Sequence, residues 1–245
     1  MDETTKQELV AACRAGEMKT VQELAGEGGV GNNEVEVDGV SDTPLTAAAR
    51  GGHVELLQWL MTDGGCDVNS SMDDGSTPLH IACFLGKIEA AQCLVEAGGA
   101  VVDQTEHNGA TPLYFAAQEG HLDVIRWLVG DAGADVNVVR EGGWTPLAAA
   151  AQFGHRDIVA FLVADGGAEV DKPLDDGATP LYLAAQEGHL ELVQWLVTDG
   201  GAAVNHATNA GATPLTVAAS NKHLTIVQWL VTSGSADLSM AVAGR

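Results

Sequence analysis

The residues that invite a chemical interpretation are the eight histidines of a strongly acidic chain, because histidine binds metals and transfers protons near neutral pH. Five of them are separated by 34 residues or by twice that interval, so they occupy the same position in copies of a repeated unit. Copies one repeat apart lie about 10 Å from each other, too far for side chains to converge within about 2 Å of one ion. A structural role is therefore favoured over a metal site for His53, His121, His155, His189 and His223.

The cysteines and carboxylates form no catalytic pattern either. The four cysteines stand where other copies of the repeat have alanine or an aromatic residue, as Cys83 does opposite Ala117, which is typical of buried packing residues. Their spacing matches no paired metal-ligand motif. The acidic pairs at Asp73-Asp74 and Asp175-Asp176 lie in predicted turns. Because no nucleophile triad, phosphate loop or dinucleotide fingerprint is present, we expect no enzyme activity, no cofactor and no metal.

These residues are positioned by a unit that repeats every 34 residues and opens each time with Thr-Pro-Leu. A constant interval without slippage gives every copy the same place in a stack of like units, which predicts a repeat array. The six copies begin at Thr43, Thr77, Thr111, Thr145, Thr179 and Thr213.

Each unit carries the signals of two short helices. Thr is a favoured N-cap and Pro a favoured first helical residue, because the N–H that Pro lacks would be unpaired there. In the third copy this predicts a first helix at Pro112–Glu119, which Gly120 ends. The second helix begins near His121 and has apolar residues at helical spacing, and the polar stretch 106–109 predicts a turn. The expected fold is an all-α repeat solenoid of helix pairs joined by β-hairpin or loop tips.

These units resemble the ankyrin repeat, whose Thr-Pro-Leu-His-x-Ala signature stands intact at 77–82. The Gly-His pairs and the Asp-Val-Asn segments match as well, and the resemblance covers about residues 5 to 240. The interval exceeds the ankyrin period of about 33 by one residue and equals the tetratricopeptide period. The tetratricopeptide alternative is disfavoured, because a Pro starts a helix in each unit and a Gly-rich extended segment separates the pairs.

We expect one ankyrin-repeat domain at 1–245. A degenerate N-terminal capping unit is predicted at 1–40, because Thr20 and Glu23 replace the Leu56 and Trp59 of the next unit, and a capping unit needs a polar outer side. The repeats are predicted at 41–74, 75–108, 109–142, 143–176, 177–210 and 211–245, the last including the C-terminal end.

The composition excludes two classes of partner. A net charge of −23 with only 11 Lys and Arg argues against nucleic acid, since phosphate binding needs clustered basic residues. No run approaches the roughly 18 apolar residues of a membrane span, and the N-terminus lacks the order of a signal peptide. We expect a soluble, monomeric protein of the cytoplasm, or of the nucleus, without membrane insertion.

The resemblance implies a function in protein binding. Ankyrin arrays commonly hold partner proteins on a concave face lined by the hairpin tips and the ends of the first helices. Phe84, Leu85, Trp144 and Phe153 are large and apolar in positions that other copies fill with Gln, Glu, Ser or Gly, and such residues anchor interfaces. Packing against a neighbouring hairpin, or drift on a tolerant surface, is the alternative.

The expected ligand is a protein or peptide with apolar side chains flanked by Lys or Arg, held by a non-catalytic interaction module. The alternative is a regulatory or scaffold ankyrin domain of a larger enzyme, channel or effector. The candidate partner-binding residues are Phe84, Leu85, Tyr114, Gln118, Glu119, Trp144, Gln152, Phe153, Tyr182, Gln186 and Glu187.

Overall fold

The structure, a computed structural model, describes residues 1–26, 29–32, 34–37, 39–237 and 239. In this part of the chain the helices come in consecutive pairs, and the second helix of the third pair continues into a π-helical turn at Cys93–Ala97. The helices are α1 Glu3–Ala15, α2 Met18–Ala25, α3 Pro44–Gly51, α4 Val54–Thr62, α5 Pro78–Phe84, α6 Ile88–Gln92, α7 Pro112–Glu119, α8 Leu122–Gly130, α9 Pro146–Gln152, α10 Arg156–Ala164, α11 Pro180–Glu187, α12 Leu190–Thr198, α13 Pro214–Ser220 and α14 Leu224–Thr232.

The first helix of each repeat begins where the Thr-Pro dipeptide places it. In α3 the Thr43 hydroxyl accepts from the Thr46 N–H at 3.2 Å, while the Thr46 hydroxyl receives the Thr43 N–H at 2.7 Å. This reciprocal pair satisfies two backbone donors that the first turn leaves unpaired. In α9 the Thr145 hydroxyl accepts from the Ala148 N–H at 3.1 Å. The observed bounds of α7 are those that the sequence predicts.

The chain forms two compact units, residues 1–116 with 131–134 and residues 117–130 with 135–245. In the first unit α3 packs against α1 and against α5. In the second unit α11 packs between α9 and α13, and α12 packs against α10 and α14. Within each unit, first helices thus lie side by side in one layer and second helices in another. The predicted all-α stack of helix pairs is confirmed, while the assignment of 1–245 to one domain stays a prediction.

The recurrent Gly-His pair joins successive helix pairs. In the second unit the His189 Nε2–H donates to the Gln152 carbonyl oxygen at 2.8 Å, and its ring lies over Gly154, where an added Cβ would come within 2.6 Å of Nδ1. His155 donates in the same way to Gln118 O at 2.9 Å. Because both imidazoles bond their helix pair to the one before, His155 and His189 have the structural role that was predicted.

A β-hairpin packs beside the N-terminal helix pair, and ion pairs that the sequence did not reveal hold it there. Strands β1 Val35–Val37 and β2 Val40–Asp42 form an antiparallel hairpin. The Asp42 side chain, which is 0% exposed, pairs with Arg14 at 2.9 Å and with Arg50 at 3.0 Å. A buried carboxylate costs several kcal/mol unless it is paired and hydrogen-bonded. The two arginines therefore stabilise the hairpin against α1 and α3.

Candidate functional site

The candidate partner-binding residues differ sharply in exposure, although the sequence analysis assigned all of them to one binding surface. Tyr114 is buried at 4% exposure, which removes its ring from direct contact with a ligand. Phe84 is 37% exposed and Phe153 is 53% exposed. Glu119 and Glu187 are exposed as well, and the half-buried residues of the set are Leu85, Gln118, Trp144, Gln152, Tyr182 and Gln186.

In the first unit an aromatic cluster supports Phe84. The ring of Phe115 lies edge-on to Phe84 with centroids 6.0 Å apart, and edge-on to Tyr114 at 5.9 Å and to His80 at 5.8 Å. Edge-to-face pairs of this kind stabilise aromatic clusters beyond their buried area. Phe115 is half-buried and was not among the candidates. Its position is apolar in every copy of the repeat, so the sequence marked it only as core.

His80 packs edge-on against Phe115, and hydrogen bonds within the fold hold its ring. The residue is 1% exposed; its Nδ1 accepts from the Thr77 N–H at 3.1 Å and its Nε2–H donates to Ala110 O at 3.2 Å. Both ring nitrogens are therefore used within the fold. Burial lowers the pKa of His80 from its ordinary value, although the hydrogen bond to the Ala110 carbonyl and the negative charge of Glu106 act in the opposite direction. The ring is a neutral structural group.

In the second unit the ends of three successive first helices form a row of exposed side chains. Glu119 is the last residue of α7, Phe153 caps the C-terminus of α9, and Glu187 is the last residue of α11. We name these three residues the helix-end row. Helix C-termini carry partial negative charge, so the backbone reinforces the two carboxylates. The result is one exposed aromatic ring between two negative positions.

Neighbouring side chains hold the helix-end row in place. The Gln118 Nε2–H donates to the Glu119 carboxylate at 2.8 Å, and Gln186 makes the same bond to Glu187 at 2.9 Å. The Phe153 ring stacks on His155 with centroids 6.4 Å apart and planes 23° apart. Since His155 is itself bonded to the α7 carbonyl of Gln118, the aromatic ring stands on an anchored support. Gln118 and Gln186 thus orient the two carboxylates of the row.

Trp144 and Tyr182 have a different environment from Phe153. Both are half-buried and pack against a small apolar cluster that includes Leu174 and Ala178. The Arg140 guanidinium lies 5.8 Å from the Trp144 ring centroid. Burial, and then the charge of Asp176, raises the pKa of Tyr182. Packing against a neighbouring hairpin, one of the two alternatives for Trp144, accounts for much of its surface.

A family model for ankyrin repeats matches the chain in three copies, over residues 9–106, 99–174 and 166–240. The chain belongs to the ankyrin-repeat family. Ankyrin repeats in general are protein–protein interaction modules and not enzymes. No curated protein matches this ankyrin-repeat chain.

The described part of the ankyrin-repeat chain contains no cluster of three or more His, Cys, Asp or Glu that could hold a metal ion. None of its described helices is long and apolar enough to span a membrane. The four cysteines are free and buried. Burial raises the pKa of Cys66 to about 11 and that of Cys13 to about 12, which leaves both as neutral thiols. The cysteines are the packing residues that the repeat alignment predicted.

Proposed function

We propose that this chain is a non-catalytic scaffold that binds a partner protein or peptide through the exposed ends of its first helices, on the concave face that the family commonly uses. The observation that carries the proposal is the helix-end row, in which the half-exposed ring of Phe153 lies between Glu119 and Glu187. Exposed aromatic rings on a rigid support are typical interface anchors. A single chain carries the whole row, so one copy is sufficient for binding.

The chemistry of the row favours a partner that is apolar with basic flanks. The two carboxylates, the helix C-termini and the net charge of −23 attract Lys and Arg and accelerate encounter. Apolar burial against Phe153 then sets the residence time. Helices that pack side by side are about 8–10 Å apart, and an extended peptide advances about 3.3 Å per residue. We therefore propose a ligand with an apolar residue and a basic residue about three positions to either side.

The aromatic cluster of the first unit offers a second anchor of the same kind. Phe84 is more than one-third exposed, and Phe115 holds its ring edge-on at 6.0 Å. Leu85 beside it is half-buried and adds apolar surface. We propose that Phe84 contacts the same class of ligand, with Tyr114 acting only as a buried support for Phe115.

The fold also fits a reducing compartment. Four cysteines remain unpaired and buried, and disulfides are rare where thiols are kept reduced. We propose the cytoplasm as the location, with the nucleus as the other reducing compartment that the fold allows. The charge balance supports protein ligands over nucleic acid in either place.

The test uses a library of peptides in which one apolar position is flanked by basic positions, with binding measured by fluorescence anisotropy. Phe153→Ala is expected to cost at least about 1–2 kcal/mol of affinity for the selected peptides. The matched control is Val139→Ala, which removes another exposed apolar side chain of the second unit, 42% exposed, outside the row. Circular dichroism confirms that both variants are folded.

Charge is tested separately with Glu119→Gln, which keeps the shape of the side chain. This variant is expected to weaken binding less than Phe153→Ala and to reduce its dependence on salt. Equal affinity of the wild type and of Phe153→Ala for every selected peptide would contradict the assignment of the helix-end row. A pull-down that compares the wild type with Phe84→Ala/Phe153→Ala extends the test to natural partners.

A further inference from the structure

The last described helix pair, α13 and α14, exposes apolar side chains that are more buried in the pair before it. Ala219 is exposed, whereas Ala185 in the same position of the preceding pair is 0% exposed. Val227 is partly exposed, whereas Val193 is 0% exposed. Leu224 is 71% exposed and Val231 is 38% exposed. We define the end face as these two residues together with Ala219 and Val227.

This helix pair also lacks the negative charge of the rest of the chain. No Asp or Glu stands between Asp199 and Asp237, and the next-longest interval without one, 142–156, is less than half as long. Positions that are acidic in the preceding pair are neutral here, as with Asn221 in place of Glu187. In a chain with a net charge of −23, the α13–α14 pair therefore contains no carboxylate side chain.

Lys222 indicates that a further helix pair with the recurrent histidine does not cover this face. It adopts a left-handed φ of 65° in a position where the preceding pairs have glycine. An added Cβ at Gly188 would lie 2.6 Å from the imidazole of His223 on the following pair, and one at Gly154 would lie 2.6 Å from that of His189. A following pair with the same histidine would meet the Lys222 Cβ at a similar distance. The end face thus suits an occupant of another shape.

We propose that the end face binds the end face of a second copy of this chain, in a two-fold, end-to-end dimer. A two-fold interface places the same patch on both sides, so each apolar side chain finds apolar surface and leaves water. Acidic chains repel one another, and this end lets two copies meet without a carboxylate of α13 or α14 on either side. A basic partner, by contrast, finds no negative charge there.

The proposed dimer differs from the monomer that the sequence led us to expect, and it is independent of the proposed function. The end face lies on α13 and α14, whereas the helix-end row lies at the ends of α7, α9 and α11. A single chain can bind its partner, and the dimer is a separate equilibrium. Phe153→Ala should therefore leave dimerisation unchanged.

The test measures the mass of the full chain by sedimentation velocity over a roughly hundredfold range of concentration, because self-association depends on concentration. Gln228→Glu adds one carboxylate to the centre of the end face, between Leu224 and Val231 on the same side of α14. The matched control is Gln58→Glu, which makes the identical change at the same position of α4, also exposed. A third variant, Leu224→Arg, removes the largest apolar side chain and fits the helix, since Arg156 occupies that position in α10.

We expect the wild type and Gln58→Glu to dimerise alike. Gln228→Glu should raise the dimer dissociation constant at least about tenfold, because the interface would bury each new carboxylate against apolar surface and near the same carboxylate of the other copy. Leu224→Arg should also raise the dissociation constant. Added salt should strengthen the wild-type dimer by screening repulsion between the acidic chains. A wild type that is monomeric at every concentration and salt concentration would overturn the proposal. A monomer is the outcome expected if another segment, such as residues 240–245, occupied the face instead. A dimer that Gln228→Glu and Gln58→Glu affect equally would overturn the proposal too.

Discussion

Gly188→Ala probes the contact that joins one helix pair to the next. Gly188 adopts a left-handed φ of 90°, and a Cβ added there would lie 2.6 Å from Cε1 and 2.7 Å from Nδ1 of His223. The ring cannot move away freely, because its Nε2–H donates to Gln186 O at 2.9 Å. An alanine methyl must therefore displace either the imidazole or the backbone that it caps.

The magnitude follows from three contributions. A left-handed conformation costs a residue with a Cβ about 1–2 kcal/mol, overpacking a close contact costs about 1–3 kcal/mol, and the lost hydrogen bond costs about 0.5–1.5 kcal/mol. Gly201→Ala isolates the first contribution, because Gly201 has a φ of 72° and no neighbour within 4 Å of an added Cβ. We expect Gly188→Ala to destabilise the protein by about 1.5–4.5 kcal/mol more than Gly201→Ala.

The assay is urea denaturation followed by far-ultraviolet circular dichroism, with midpoints and slopes compared among the variants. Slopes matter, because a weakened interface in a repeat array lets the repeats on either side unfold separately. In a His223→Ala background the extra cost of Gly188→Ala should disappear, since the obstructing ring is gone. Equal destabilisation by Gly188→Ala and Gly201→Ala in the wild-type background would refute the reasoning.

Two further predictions concern buried polar groups of the first unit. His80→Thr should flatten the fall in stability between about pH 7 and pH 5, because the buried neutral ring has a lowered pKa and only the unfolded chain takes up a proton below the ordinary pKa of about 6.5. Threonine suits the position, since Thr46 forms a capping box at the equivalent position of α3. Denaturation midpoints of both proteins across this pH range check the prediction, and an unchanged pH dependence would count against it. Asp42→Ala should cost about 2–3 kcal/mol, near the low end for breaking a buried pair because Arg14 and Arg50 stay 24% and 27% exposed. Thermal denaturation checks the second, and a loss below about 1 kcal/mol would show that the arginines find other partners.

The amino-acid sequence by itself determined where the first helix of each Thr-Pro-Leu repeat begins. Thr caps and Pro starts act within three or four residues, so they need no tertiary context, and α7 has the bounds Pro112–Glu119 that they predict. The fixed interval also gave the order of the helix pairs and the structural role of the recurrent histidine. The resemblance to ankyrin repeats followed from the same local signals.

The sequence could not reveal contacts between residues that are distant along the chain. The pairing of Asp42 with Arg14 joins residues in different elements, and neither belongs to a motif. The same holds for the support that Phe115 gives to Phe84. In both cases one residue type is compatible with several environments, and only the neighbours across the fold select one.

Exposure at the candidate sites was likewise decided by the tertiary structure. Tyr114 and Phe153 are both aromatic residues of a first-helix segment, yet one is 4% and the other 53% exposed. Leu224 resembles Leu190 in type and position, but only Leu224 is 71% exposed, because no further helix pair of the chain follows it in the described structure. Helix formation depends on local hydrogen bonds that the sequence encodes directly, whereas burial depends on which surfaces come to lie against a side chain.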